Sequence, residues 1–371
     1  MNTVTPRIFV AATEQNDGKT TTCLGLFAAL QKRLGRIGYI KPVGQRFVSV
    51  DGVKIDEDSV LIEQTYKVHT PLEAMSPIAI EPDFTRKYIE QSNRDNLVRR
   101  IQNSFDRAAW EKDFVIIEGS GHAGVGSVFD LSNATVARHL SSKVILVTRG
   151  GIGRPVDEIA LNKALFEKEG VEVLGAIVNK VIPAKFDVVR EFAGRGLARL
   201  GVELLGCIPE DPVLAKPTLG QICKTIKGKF LHGGERSRRQ VKNVVIGAMS
   251  TARVTDFFTP GTLIISPGDR EDILLAALAA TNQSSPDGHG LAGLILSGDT
   301  LPDAALLEMV KASQLPVISS ALDSYTVASN IHSMTVKTLP GDREKIDKIQ
   351  ALIESEVQID RLLEKIGVTR G

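Results

Sequence analysis

A strand-like run from Arg7 to Ala12 opens into Ala12-Thr13-Glu14-Gln15-Asn16-Asp17-Gly18-Lys19-Thr20, and a helical pattern follows from Lys19. A glycine, a lysine and a hydroxyl set between strand and helix suit a phosphate. Backbone N–H groups of such a loop converge on an anion at the helix start. Lys19 would then reach the outer phosphates as a point charge, and the Thr20 hydroxyl would sit on Mg²⁺. Thr21 and Thr22 extend the helix start and add hydroxyls. Thr13 stands where the pattern G-x-x-x-x-G-K-[ST] has its first glycine. The plain alternative is a capped helix start with a solvent-facing lysine.

Two more clusters carry chemistry. Lys41 ends the run Gly38-Tyr39-Ile40 and is held extended by Pro42; it is either a second positive charge over the phosphates or a surface lysine before a turn. Shortly after it, Lys54-Ile55-Asp56-Glu57-Asp58-Ser59 gathers three carboxylates ahead of a helical stretch. Asp58 is read as a Mg²⁺ ligand, since magnesium takes one or two carboxylates plus phosphate oxygens; the alternative is a helix N-terminal charge. Glu118, at the end of the apolar strand 114–117, opens Glu118-Gly119-Ser120-Gly121-His122-Ala123-Gly124. A carboxylate at the carboxyl end of a buried strand faces the ligand crevice, so Glu118 is the second metal candidate. His122 serves either a phosphate or substrate acid, or only local hydrogen bonds. The other five histidines show no ligand spacing.

The elements that must position these groups alternate in type. Short apolar runs at 7–12, 114–117, 144–147, 174–178 and 204–208 are separated by helical stretches, which indicates βαβ units around a buried parallel sheet. At 371 residues two or three domains are expected. Forty-five Lys+Arg against forty-four Asp+Glu leave a net charge of +1, so no global field points to nucleic acid. The longest apolar run, 273–280, is too short to cross a bilayer, and the N-terminus lacks a signal-peptide pattern. Cys23, Cys207 and Cys223 have neither disulfide nor metal spacing and read as packing. The expectation is a soluble cytoplasmic protein with no nucleic-acid or membrane partner.

Between Lys216 and Lys242 the texture changes: Lys224, Lys227, Lys229, Arg236, Arg238, Arg239 and Lys242 face only Glu235. Without an aromatic stacking series this reads as a basic linker rather than a nucleic-acid patch. Strand-like segments resume at 244–246, 262–265, 291–296 and 316–318, with helices expected over 269–280 and 303–313. One or two amphipathic helices are expected over 343–366. The domain expectation is therefore 1–215, a linker over 216–240, and a second α/β domain over 241–371.

The first part resembles the dethiobiotin synthetase-like P-loop family. It has Thr13 with Gly18-Lys19-Thr20, then Lys41-Pro42-Val43, Asp58 and Glu118-Gly119, in that family's order. Val178-Asn179-Lys180 is similar to the family's adenine-recognition segment, and Gly206-Cys207-Ile208-Pro209 to the run closing its nucleotide pocket. The resemblance covers roughly residues 5–215. It implies ATP and Mg²⁺ as cofactors, catalytic roles for Lys19 and Lys41, and nucleotide contacts from Thr13, Gln15, Asn16, Asp17, Gly18, Lys19, Thr20, Thr21 and Asn179. It implies metal contacts from Thr20, Asp58 and Glu118. Gln45 replaces the family's substrate-contacting serine. The related cobyrinic acid a,c-diamide synthases need a glutaminase cysteine, which has no counterpart here.

The second part resembles a DRTGG domain through Val245-Ile246-Gly247-Ala248-Met249-Ser250 and Pro260-Gly261-Thr262, with Asp269-Arg270-Glu271-Asp272 where Asp-Arg-Thr-Gly-Gly would stand. Asp269 and Arg270 form either an ion pair or cap, or an effector site. Phosphotransacetylases of the long type carry this pair of domains ahead of a catalytic domain that this chain does not reach, so acetyl transfer is not expected. In fold class, the expectation is α/β: a P-loop NTPase-type parallel sheet followed by a smaller DRTGG-like domain. In function it is an ATP-Mg-binding, nucleotide-responsive regulatory homodimer that takes a small-molecule effector or carboxylate substrate. The alternative is an ATP-dependent ligase activating a carboxylate or carbamate through an acyl phosphate.

Overall fold

The computed structural model describes residues 1–282 and 290–368. It consists of two compact units. One comprises Met1–Val213 and the segment from Thr338 onward; the other is Leu214–Lys337.

In the first unit six strands form one sheet: β1 (Arg7–Ala12), β2 (Ile37–Ile40), β3 (Phe114–Glu118), β4 (Lys143–Arg149), β5 (Val173–Val181) and β6 (Leu204–Pro209). Their order is β6-β5-β4-β1-β3-β2, and every pair is parallel. Helices cover both faces of such a sheet, which is why these strands read as continuous apolar runs without alternation. Strand order reverses around β1, whose neighbours β3 and β4 both come later in the chain. That reversal opens a crevice at the carboxyl ends of β1 and β3. Helix α1 (Lys19–Leu34) starts there, and its buried face runs from Thr22 to Leu30.

An antiparallel hairpin, Phe47–Val50 with Val53–Asp56, follows β2 and was not evident from the apolar pattern. It delivers Asp56 to the start of α2 (Glu57–Tyr66), where the Asp56 side chain accepts a hydrogen bond from the Asp58 N–H.

In the second unit the strands are β7 (Lys229–His232), β8 (Asn243–Ile246), β9 (Thr262–Pro267), β10 (Gly293–Ser297) and β11 (Val317–Ser319). Their order is β7-β11-β10-β9-β8, with only β7 antiparallel. Arg270 donates to Asp272 at 2.8 Å and to the carbonyls of Gly247 and Met249 at 3.3 and 3.2 Å, fastening the loop after β8.

Two domain expectations differ from this arrangement. The segment expected as a linker over 216–240 is folded: helix Leu219–Thr225 is closed by a reciprocal Thr218–Gln221 capping box, and β7 is an edge strand. The reason is an apolar spacing hidden among the basic residues. Leu219, Ile222, Cys223 and Ile226 are buried in one cluster with Leu263, Ile265, Ile295 and Ile318. Likewise the C-terminal helices Arg343–Glu356 and Ile359–Ile366 belong to the first unit, not the second. Ile349 and Ile353 lie against α1, while Gln358 N–H donates to the Leu205 carbonyl of β6 at 2.8 Å.

Candidate nucleotide site

The segment 12–20 leaves β1 and enters α1 through Gly18, whose φ of 103° is left-handed. A Cβ at Gly18 would also stand 2.0 Å from Asn179 Nδ2, so both backbone and space demand glycine. Among the described residues no side chain caps α1, and no acid lies in its first turn. The first N–H groups of a 16-residue helix are therefore left for another partner.

Lys19 is 8% exposed, and among the described residues it makes no hydrogen bond or ion pair. Burial lowers its pKa, and the nearby Glu118 carboxylate partly restores it. Thr20 donates to Glu118 Oε1 at 2.8 Å, and Tyr39 donates to Glu118 Oε2 at 2.8 Å. Glu118, at the end of β3, is thus fixed from both sides. Burial, with Glu118 adjacent, pushes the Tyr39 phenol well above its usual range.

Lys41 sits inside three carboxylates: it pairs with Asp58, and lies 3.3 Å from Asp56 and 3.4 Å from Glu118. Burial opposes its charge, but the three carboxylates outweigh burial and hold the ammonium well above its ordinary pKa. Asp56 also rises, to about 6, although it touches a cation. Burial is the main cause, and Asp58 competes with it for the one lysine. Cys23, beside Glu118, is fully buried, and its thiol is pushed well up by burial.

The structure brings Thr13, Asp17, Gly18, Lys19, Thr20, Lys41, Asp58 and Glu118 to the carboxyl ends of β1, β2 and β3. Gln15 and Asn16 are exposed on the loop crest and Thr21 is half-buried. Asn179, at the end of β5, donates its amide to the Asp17 carbonyl at 2.8 Å, and its Oδ1 accepts from the Lys180 N–H. Its amide supports the loop. His122 is exposed and accepts from the Gly124 N–H at 3.2 Å, a local role. Gln45 is exposed.

Among the described residues no group of three or more His, Cys, Asp and Glu is arranged to hold a metal ion. The Thr20 hydroxyl and the Glu118 carboxylate are instead two hard oxygens side by side. That donor set fits Mg²⁺ when phosphate oxygens and water complete the shell.

Several supporting residues carried no sequence motif. Asn133 grips the loop after β3, donating to the carbonyls of Ser120 and His122 at 2.7 Å and accepting from the Ser120 N–H. On helix Gly153–Lys168, Glu158 Oε2 lies 2.7 Å from Thr13 Oγ1, and Asn162 accepts from the Ala123 N–H at 2.7 Å. Their i, i+4 spacing shows only that they share a helix face; nothing in it says what the face meets.

Residues 6–218 match the model of the AAA_26 family, an AAA domain, and residues 221–334 match the DRTGG domain. The first match covers more than half of the chain. The chain belongs to the AAA_26 family. With it, the six-stranded parallel sheet is of the P-loop NTPase type, joined in one chain to a DRTGG domain. Phosphate acetyltransferase of Pseudomonas aeruginosa is 30% identical over 380 residues, covering 98% of this chain and 52% of that protein. The Pseudomonas putida phosphate acetyltransferase is 28% identical over 376 residues, with the same two coverages. The chain spans about half the length of these curated relatives. Among solved structures, the MinC:MinD cell division protein complex of Aquifex aeolicus covers 56% of this chain and 83% of its own, at 17% identity and a TM-score of 0.35. No helix among the described residues is long and apolar enough to cross a membrane.

Proposed function

We propose that the AAA_26 domain binds ATP with Mg²⁺ and that the chain is a nucleotide-responsive regulatory protein. One observation carries the reading: among the described residues the buried Lys19 ammonium has no hydrogen-bond or ion-pair partner, and it stands at the uncapped start of α1. A buried unpaired charge is costly, and an anion delivered to the free helix N–H groups relieves it. Thr20 and Glu118 would hold Mg²⁺, with Asp58 as a further carboxylate near Lys41, and the ion would supply charge neutralisation at the phosphates. Lys19 would then balance the outer phosphates, while Lys41 offsets the carboxylates of Asp56, Asp58 and Glu118 beside them. Tyr39 keeps Glu118 aimed, and Asn179 and Asn133 keep the loops on either side of it in place.

The regulatory half of the reading rests on the fusion to a DRTGG domain. It includes a homodimer and a small-molecule effector. The second reading is an ATP-dependent ligase that activates a carboxylate or carbamate as an acyl phosphate. The ammonium of Lys41, buried in the crevice, favours it.

The test is a calorimetric titration with ATP and Mg²⁺, with nucleotide consumption followed afterwards. Binding with no turnover supports the regulatory reading, and hydrolysis stimulated by a carboxylate supports the ligase. Absence of binding overturns both. Light scattering at micromolar concentration tests the dimer, and a monomer overturns it.

A further inference from the structure

Where the usual loop has its first glycine, Thr13 places a hydroxyl between two acids. Thr13 Oγ1 lies 2.9 Å from Asp17 Oδ2 and 2.7 Å from Glu158 Oε2. A hydroxyl has one hydrogen. Given to one carboxylate, it turns its lone pairs on the other, so two anions at hydrogen-bond distance share one hydrogen at a cost that a further proton removes. Thr13 and Asp17 are 1% and 3% exposed, so water does not resolve the conflict cheaply.

We propose that Asp17 carries that proton and donates it to Thr13 Oγ1, while Thr13 donates its own hydrogen to Glu158. Asp17 is then a positioning residue that closes the loop as a neutral acid.

The neighbours decide which acid keeps the proton. Glu158 has a cation, Arg154 Nε at 2.5 Å, and takes a further hydroxyl from Thr148 at 3.2 Å. Asp17 has no ion pair among the described residues; apart from the contact with Thr13, its Oδ2 meets only the Glu14 N–H, which donates to it at 2.8 Å. The charged groups facing it are Glu14 and Lys19 on the loop, Glu158 and Arg154 on helix Gly153–Lys168, and Lys180 on β5. Burial raises the Asp17 pKa, whereas the Arg154 and Thr13 hydrogen bonds overcome burial and lower that of Glu158. The consequence, which rests on the phosphate reading of residues 12–20, is a cradle with one negative charge fewer where a polyphosphate lands.

Both tests use the nucleotide-free full chain, so their failure is separate from a failure to bind ATP. In a carbon-13 NMR titration with labelled aspartate, the Asp17 carboxyl is assigned by its loss in Asp17→Asn. It should titrate at least about one pH unit above the exposed aspartates, and move down by about one unit in Glu158→Gln, whose amide can donate to Thr13. Titration alongside the exposed aspartates, or no change in Glu158→Gln, overturns the proposal. In urea unfolding, Asp17→Asn supplies an N–H in place of the acid proton and should unfold at higher urea than Asp17→Ala. Wild type should lose stability relative to Asp17→Asn as pH rises, because the folded state holds the extra proton. An Asp17→Asn protein as unstable as Asp17→Ala at every pH overturns the donor role.

Discussion

Gly25 of α1 and Ile353 of the C-terminal helix meet with no room between them: a Cβ at Gly25 would stand 2.2 Å from Ile353 Cγ1 and 2.6 Å from its Cβ. Gly25→Ala should therefore destabilise the first unit by about 1–3 kcal/mol, despite the roughly 1 kcal/mol that alanine gains in a helix. Urea unfolding of Gly25→Ala, Ile353→Ala and the double variant measures the coupling. The double variant should lose less than the sum of the singles.

Lys19→Ala removes the unpartnered ammonium and should weaken MgATP binding roughly tenfold to a hundredfold, the worth of a charge-assisted contact. The helix should be unharmed, because alanine is at home in its first turn. Calorimetry together with far-UV circular dichroism separates the two effects. Unchanged affinity in a folded variant removes Lys19 from the phosphate site.

Lys41→Met leaves Asp56, Asp58 and Glu118 buried with their shared cation gone, which should cost about 3–5 kcal/mol at pH 7.5. The variant should recover stability on acidification. Asp56 already titrates near 6 in the folded chain, above its unfolded value, and losing the lysine raises it further. Folding then takes up protons, and stability grows as pH falls through that range. Urea midpoints at pH 7.5 and 5.5 give the sign.

Glu203 accepts from Arg361 at 3.0 Å and Lys365 at 2.8 Å, tying helix Ile359–Ile366 to the residue before β6. The Arg361 and Lys365 hydrogen bonds depress its pKa to about 2. Its contribution is present above the unfolded glutamate value and fades as pH falls toward 2. Because the carboxylate is about one-third exposed, Glu203→Gln should cost only about 0.5–1 kcal/mol at pH 7. That difference should vanish at about pH 2 in unfolding curves.

The candidate site was legible where chemistry is local in the chain. Gly18-Lys19-Thr20, Lys41 and Glu118 lie at the ends of parallel strands, which bring their carboxyl ends together, whereas Asp58 arrives on the helix after a hairpin. Asp56 was visible as an acid, but its place against Lys41 depends on a hairpin of two four-residue, mostly exposed strands, too short to stand out beside the buried runs of the sheet. Glu158, Asn162 and Asn133 act across the sheet, where only the fold determines who meets whom. The same limit applies to 343–366: a 3.6-residue apolar period shows that a face is buried, not against which unit. At 216–240 the basic residues masked an apolar spacing that is plain once Leu219, Ile222, Cys223 and Ile226 are counted alone.

The return of the chain to the first unit after Lys337 has a consequence during synthesis. β6 emerges from the ribosome long before the helices that cover it and α1. At roughly 5–20 residues per second, the intervening stretch takes on the order of ten seconds to make. Through that interval the nucleotide unit waits with the groove around Gly25 uncovered. The inserted unit, whose strands follow one another closely, has time to finish first. A chain truncated at Lys337 and released from the ribosome should therefore carry a folded second domain and a first one left open around Gly25, which gives a holding chaperone something to hold.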